Sequence, residues 1–493
     1  MVKAPACTFV IFGISGDLAA RKLLPALFEL HREGSIDPET RIVGFARRAW
    51  SDDELRERMY DALQEYGYGD FDQALWDDLA PRLSFCGGNY DDPASYDALA
   101  EHLDAFGHDI RLFYTATPPS TYAAIADGLG KAGLSRRGDG RFIIEKPFGT
   151  DFESAQVLNG CILENFAESQ IYRIDHYLAK ETAQNIAALR FANTIFEPTW
   201  NSQYVDHVQV TMAEPMGVEG RGGFYEQTGI VRDVVQNHLL QLVALVATEP
   251  PASYDAQSVR DEKVKVLRAM HCVNVGDAVM GQYISSNGQI SGNGQTSSNS
   301  QSSYRDEAGV DDRSRQATYA AIELNIDNWR WSGVPFYIRS GKRLVAKSTE
   351  IVIYYKTPPH IPFQFRKPPR ADRIVLRLVP NEGISLRYNA KVPGQGITLN
   401  TASMDFYYDE QFKHRTPDAY ETLLLDAMMG DATLFMRADE VEEQWRIVMP
   451  LLNTWEHANE EPAFYESGTW GPEEADEMLA RAGRRWHVPQ QNS

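Results

Sequence analysis

Cys7-Thr-Phe-Val-Ile-Phe12, then Gly13-Ile-Ser15-Gly16-Asp17-Leu18-Ala-Ala-Arg21-Lys22, then Leu23, Leu24, Leu27, Phe28 and Leu30 at helical spacing, read as strand, glycine turn and helix. In a dinucleotide-binding fold such glycines let the backbone approach a pyrophosphate, which rests on the helix N-terminus. The Gly-x-x-Gly spacing is not the G-x-G-x-x-G fingerprint, so the turn alone does not decide the matter. Further strands support it. Arg41–Ala46 ends in Arg47-Arg48, where a fold built for NAD carries an acid for the ribose 2′-hydroxyl. An arginine there suits a 2′-phosphate, which makes Arg47, with Ser15, the candidate for NADP recognition; the alternative is a solvated arginine pair at a strand end. Arg111–Tyr114 closes on Thr115-Ala-Thr117-Pro118-Pro119, and Arg141–Ile144 on Glu145-Lys146-Pro147-Phe148-Gly149. Ligands of an open α/β sheet bind outside the carboxyl ends of its strands, so both strand ends, and Lys146, face one cleft.

Arg173-Ile-Asp175-His176-Tyr177-Leu-Ala179-Lys180-Glu181 places two cations, two carboxylates, an imidazole and a phenol where a core segment carries apolar residues. If the helix read from Glu181 to Asn193 begins near His176, then His176 and Lys180 lie one turn apart beside unpaired backbone N–H groups, a seat for a phosphate. The alternative is a solvated first turn capped by Asp175. Farther on, a long and largely apolar helix over Ile230–Ala247 carries Arg232, Asp233, Gln236, Asn237, His238 and Gln241. Buried polar groups need partners, since an unsatisfied one costs about 1–3 kcal/mol. His238 is either functional or a satisfied core histidine, and its five-residue spacing from Asp233 does not put the two on one face of an α-helix.

The 493 residues predict two or three domains. At 43% hydrophobic content, with no apolar run near 18 residues, no transmembrane segment is expected, and Cys7–Phe12 is too short for a secretory signal. A net charge of −21 disfavours nucleic acid and anionic membranes as partners, though a cluster of Lys and His can still attract a small anion. Four cysteines far apart without CxxC spacing indicate neither disulfides nor a metal site, which fits a reducing cytoplasm. Ser285–Ser303 has almost nothing to bury and is expected to be a flexible surface insertion without chemistry. An acidic helical stretch is read from Ser51 to about Asp78. Strand-like alternation after residue 193 assigns most later strands to a second domain.

Several of these stretches resemble the glucose-6-phosphate dehydrogenase family. Its active-site signature reads Arg-Ile-Asp-His-Tyr-Leu-Gly-Lys-Glu, from which residues 173–181 depart only at Ala179. Its cofactor loop, Gly-Ala-Ser-Gly-Asp-Leu-Ala, differs only at Ile14. It too has an arginine at the place of Arg47, and the words Glu-Lys-Pro-Phe-Gly, with a proline that is typically cis, although Glu-Lys-Pro also occurs in other sugar oxidoreductases. Residues 232–241 match its Arg-Asp-x-x-Gln-Asn-His-Leu-Leu-Gln, and Arg339–Leu344 its Arg-x-Gly-Lys-x-Leu. The resemblance spans about nine-tenths of the chain.

It implies an α/β plus α+β architecture: an N-terminal Rossmann domain over residues 1–175, then a larger α+β domain over 176–493 with a mostly antiparallel sheet for substrate binding and dimerisation. It implies oxidation of glucose 6-phosphate at C1 to 6-phosphoglucono-1,5-lactone with NADP, the entry step of the oxidative pentose phosphate pathway, by a homodimer or homotetramer. NADP falls to Gly13, Ser15, Gly16, Asp17, Leu18, Arg47, Thr117, Pro118 and Lys146. His238 is the implied base and Asp175 its orienting carboxylate. His176, Tyr177, Lys180 and Lys347 bind the 6-phosphate, Glu214, Asp233 and Lys342 the sugar hydroxyls, and Lys146 bridges sugar and cofactor. A dehydrogenase of an unphosphorylated sugar would not need the His176/Lys180 pair. A catalytically silent regulatory module would not need His238 and Asp175.

Overall fold

The computed structural model describes residues 3–285, 302–363, 369–394, 396–412, 415–458 and 460–489. The chain divides into two compact units. The first comprises Met1–Lys180, Pro251–Asp261 and Pro417–Glu442; the second comprises Glu181–Pro250, Glu262–Thr416 and Glu443–Ser493.

In the first unit, β1 (Thr8–Phe12), β2 (Arg41–Ala46), β3 (Leu83–Gly87), β4 (Ile110–Thr115), β5 (Asp139–Ile144) and β6 (Ile171–Arg173) form a parallel sheet in the order 3-2-1-4-5-6. All five residues of β1 are buried, as expected of a strand covered on both faces. The order reverses between β1 and β4, and the crevice of a doubly wound sheet opens at that reversal. Gly13 leaves β1 at φ +80°, where a Cβ would fall 2.4 Å from the Ala116 carbonyl oxygen. Only glycine lets the two strand ends close in this way. Ile14 is buried over Gly44, so its larger side chain has a place in this loop.

Where the sequence places a single break near residue 175, the chain returns to the first unit twice. The helix Ala419–Met429 buries Tyr420, Leu423, Leu424, Ala427 and Met428 in the same core as Leu27 and Leu30 of the helix Leu24–Arg32. Arg141 of β5 donates to the carbonyls of Ala427 and Met428 at 2.6 and 2.7 Å, satisfying that helix's C-terminal end. The stretch read as one helix from Ser51 to Asp78 is two, Asp52–Tyr66 and Gln73–Leu79. Gly67 ends the first, and the Asp72 side chain caps the second.

The second unit contains a ten-stranded, mostly antiparallel sheet. Its strands are β7 (Val205–Ala213), β8 (Met270–Cys272), β9 (Val279–Ile284), β10 (Tyr319–Ile326), β11 (Phe336–Gly341), β12 (Ser348–Tyr355), β13 (Arg373–Val379), β14 (Gly383–Lys391), β15 (Leu399–Tyr407) and β16 (Ala463–Glu466). The order is 15-14-13-12-7-11-10-9-16, with β8 also on β10; only the β7–β11 and β9–β16 pairs are parallel. The helical run Gly222–Ala247 is, by length and hydropathy, apolar enough to cross a membrane, contrary to the expectation from the sequence. Its most apolar window is 83% buried within the protein, which makes it a core helix. Of the insertion, residues 286–301 lie outside the described residues; at its ends the Ser285 N–H donates to Ser303 Oγ at 3.1 Å.

Candidate active site

In the first unit a cavity of about 830 Å³ opens at the β1/β4 reversal. Gly13, Ser15 and Gly16 form one wall, Ala116–Pro118 with Ser120 and Thr121 another, and Arg47 with Asn89–Asp92 a third. The Thr121 hydroxyl donates to Thr117 Oγ1 at 2.7 Å and fixes the β4 end. Asp17 points outward and pairs with Arg21 at 2.6 Å, and Leu18 packs on the core, so both support the loop. No acid stands at the end of β2, where Arg47 is exposed. The close-packed glycine loop and this arginine together fit an NADP pyrophosphate and 2′-phosphate.

Lys146 follows β5 and precedes a cis peptide bond to Pro147. Glu145, one residue earlier, is buried and accepts hydrogen bonds from the hydroxyls of Tyr114 and Tyr420. Burial pushes its carboxyl pKa up, against those two hydroxyls and the nearby Lys146. Sequence reading passed over this trio, because Tyr420 comes from the returning helix Ala419–Met429.

The signature after β6 differs from the helix start drawn from its spacing. Residues 176–180 form overlapping turns, and the α-helix begins at Glu181. Leu178 N–H donates to the Asp175 carbonyl at 3.0 Å, and Lys180 N–H to the Tyr177 carbonyl at 3.3 Å. Buried Asp175 accepts the Tyr177 N–H on its own side chain at 3.0 Å, an Asx-turn that competes with helical winding. His176 and Lys180 are therefore not one α-turn apart at a helix end. They are half-buried on two successive turns, and the His176 ring lies 5.0 Å from Tyr177 and 6.4 Å, nearly parallel, from Tyr420. Arg173, counted among the cations of a possible site, is structural: it is fully buried and held by Glu168 at 2.5 and 3.2 Å and Asn159 at 3.1 Å. Ala179 is buried and is not among the residues with positive φ, so the usual glycine is not required there.

In the second unit the candidate sugar residues meet. The Lys342 ammonium, at the end of β11, donates to Glu214 after β7, lies 3.5 Å from Asp233 and sits 5.7 Å above the Tyr225 ring. Asp233 belongs to the helical run that carries His238. That run kinks at Gly229 (φ 61°, ψ 173°) and is π-helical from Val231 to Leu239. In an α-helix, residues five apart are about 140° apart around the axis. A π-helix closes its hydrogen bonds from i to i+5 and brings such residues toward one side, which the spacing of Asp233 and His238 alone did not allow. His238 is 3% exposed, and its N–H donates to Asn237 Oδ1 at 2.6 Å. The neighbouring polar groups have partners too: Gln444 donates to the Asn237 carbonyl at 3.1 Å and Lys263 to Gln241 at 2.9 Å. Exposed Lys347 borders a cavity of about 510 Å³ with Glu350, Arg377 and Tyr407. Arg343 is held over Tyr283.

A doubly wound dinucleotide unit joined to an antiparallel-sheet unit whose Lys–Glu–Asp cluster shares a helical segment with a buried histidine is the architecture of a pyridine-nucleotide oxidoreductase. The chain belongs to the glucose-6-phosphate dehydrogenase family. Residues 10–185 match "Glucose-6-phosphate dehydrogenase, NAD binding domain" and residues 187–487 match "Glucose-6-phosphate dehydrogenase, C-terminal domain". Glucose-6-phosphate 1-dehydrogenase of Chlamydia pneumoniae is 43% identical over 500 residues, 98% of this chain and 96% of that one. Glucose-6-phosphate 1-dehydrogenase 2 of Mycobacterium tuberculosis (strain ATCC 25618 / H37Rv) is 43% identical over 493 residues, 98% and 95%. A solved glucose-6-phosphate dehydrogenase in complex with its substrate glucose-6-phosphate superposes with a TM-score of 0.91 at 38% identity, covering 99% of this chain and 100% of the other.

Proposed function

We propose that this family member oxidises glucose 6-phosphate at C1 to 6-phosphoglucono-1,5-lactone, the entry to the oxidative pentose phosphate pathway, with NADP as cofactor. The observation that carries the reading is the Lys342–Glu214–Asp233 cluster, whose Asp233 shares the π-helical segment of a buried imidazole, in a chain aligned over its length with that family. Oxidising a hemiacetal carbon to a lactone requires loss of the C1 hydroxyl proton together with the C1 hydride. NADP, when bound, accepts the hydride. We assign His238 to take the proton and Asp175 to orient and stabilise the resulting imidazolium. Glu214, Asp233 and Lys342 bind sugar hydroxyls, His176, Tyr177, Lys180 and Lys347 the phosphate, and Lys146 the region shared by sugar and cofactor. Gly13, Ser15, Gly16, Thr117 and Pro118 shape the cofactor cavity, and Asp17 and Leu18 support its glycine loop. A turnover assay with glucose 6-phosphate and NADP against glucose and NAD tests the reading; faster turnover of the unphosphorylated sugar would favour the other sugar dehydrogenases.

Arg47 is assigned to the 2′-phosphate. Charge-assisted contacts of this kind predict that Arg47→Ala raises the KM for NADP about tenfold and scarcely changes that for NAD. Equal effects on both would reduce Arg47 to a surface charge.

We read the active form as a homodimer or homotetramer in the cytoplasm. β15 ends one side of the sheet and leaves an unpaired edge, with Met404 60% exposed on it, that a second copy can cover. Sedimentation velocity is expected to show two or four chains of 55.5 kDa, and a monomer at micromolar concentration would refute this. All four cysteines are free thiols, which supports a reducing compartment.

A further inference from the structure

Beside Arg47, the cofactor cavity has a wall that neither the glycine loop nor the strand ends account for. Asn89–Asp92 follows β3, and this loop is tied down at several points. Gly88 packs where a Cβ would fall 2.6 Å from both Phe45 Cζ and Ser95 Cβ. Asn89 N–H donates to Ser95 Oγ at 3.1 Å, and the Ser95 hydroxyl donates to Asp92 at 2.8 Å. The Tyr90 carbonyl accepts the Tyr96 hydroxyl at 2.8 Å. The Tyr90 ring is set against two aromatic residues of the parallel sheet, 6.1 Å from Phe45 with planes 29° apart and 6.3 Å edge-on from Phe12. Its hydroxyl pKa is raised by burial, with Arg47 and a Gly13 backbone group acting in the opposite direction, so this side chain reaches from the glycine loop to the arginine.

Over this fixed ring stands the Arg47 guanidinium, 6.0 Å from the ring centroid. Arg47 itself is exposed and long, and Asp91 and Asp92 border the same cavity and offer it carboxylates to fold onto. A π face beneath a guanidinium favours one position without neutralising its charge. We infer that Tyr90 is a positioning residue for cofactor choice: its ring holds Arg47 extended at the cavity, available to a 2′-phosphate, and so contributes to preference for NADP over NAD. This rests on the reading of Arg47 as the 2′-phosphate residue.

The test is kcat/KM for NADP and for NAD in the full-length enzyme, with Tyr90→Leu, Tyr90→Met, Tyr90→Phe, Arg47→Ala and the Tyr90→Leu/Arg47→Ala double variant. An exposed cation–π contact predicts that Tyr90→Leu lowers kcat/KM for NADP roughly three- to fivefold while NAD is little affected. Tyr90→Met fills the volume without a π face and repeats the loss if Tyr90→Leu fails to fold; Tyr90→Phe retains the preference. In the double variant the NADP/NAD ratio is no lower than with Arg47→Ala alone, because the two residues act through one contact. Equal losses with both cofactors, or additive losses in the double variant, overturn the inference. A ratio that drops with Arg47→Ala but with neither removal of the ring sinks the inference alone. One that drops with none of the single variants sinks the reading of Arg47 as well.

Discussion

Replacing His238 by Asn lowers kcat for glucose 6-phosphate by roughly 10² or more, the loss expected when a general base is removed, and leaves the KM for the sugar nearly unchanged. Asparagine is polar and of similar reach, so the buried position is not left to an apolar residue. The His238 N–H bond to Asn237 Oδ1 belongs to the backbone and survives the change. The Lys342–Glu214–Asp233 cluster lies on other residues, which is why binding and turnover should separate. Steady-state kinetics on protein with an unchanged melting temperature makes the comparison. A kcat within tenfold of the parent would assign the base to another group.

Lys180→Ala is expected to weaken use of glucose 6-phosphate by about one to two orders of magnitude in kcat/KM, from loss of charged hydrogen bonds to a dianion. The slow oxidation of unphosphorylated glucose should scarcely change. No helix N-terminus contributes here, since residues 176–180 are turns. What remains is a half-buried lysine and imidazole on consecutive turns, with Tyr177 and Tyr420 packed about the imidazole and the Asx-turn of Asp175 holding the first turn. Proportional losses with both sugars would show that Lys180 supports the turn or the ring, and the phosphate would then have to be read elsewhere.

The dinucleotide unit was legible because parallel strands covered on both faces show as unbroken apolar runs, and because Gly13 occupies a position closed to any side chain. The spacing over Ala419–Asp426 predicts a helix, but nothing local in Tyr420, Leu423 and Leu424 says which core an amphipathic helix joins. The sequence reading names no strand at β14 and β15, although Ile384-Ser-Leu-Arg-Tyr-Asn-Ala-Lys391 alternates apolar and polar residues along a half-buried strand. At the site, residue identities carried more than spacing did. The Asp233–His238 relation depends on π-helical winding, which no local propensity announces, and the His176–Lys180 relation was drawn on a helix that the Asp175 side chain displaces.

The return of residues 417–442 to the first unit bears on synthesis at the ribosome. When Lys180 emerges, the sheet has all six of its strands, yet the face of the helix Leu24–Arg32 that receives Leu423, Leu424 and Ala427 is still bare. It stays so until Glu442 has been made, which at about 5–20 residues per second is tens of seconds later. The nascent unit therefore passes that interval with an uncovered apolar face, where a holdase chaperone can bind, and a truncated chain ending near residue 180 would carry the same face permanently.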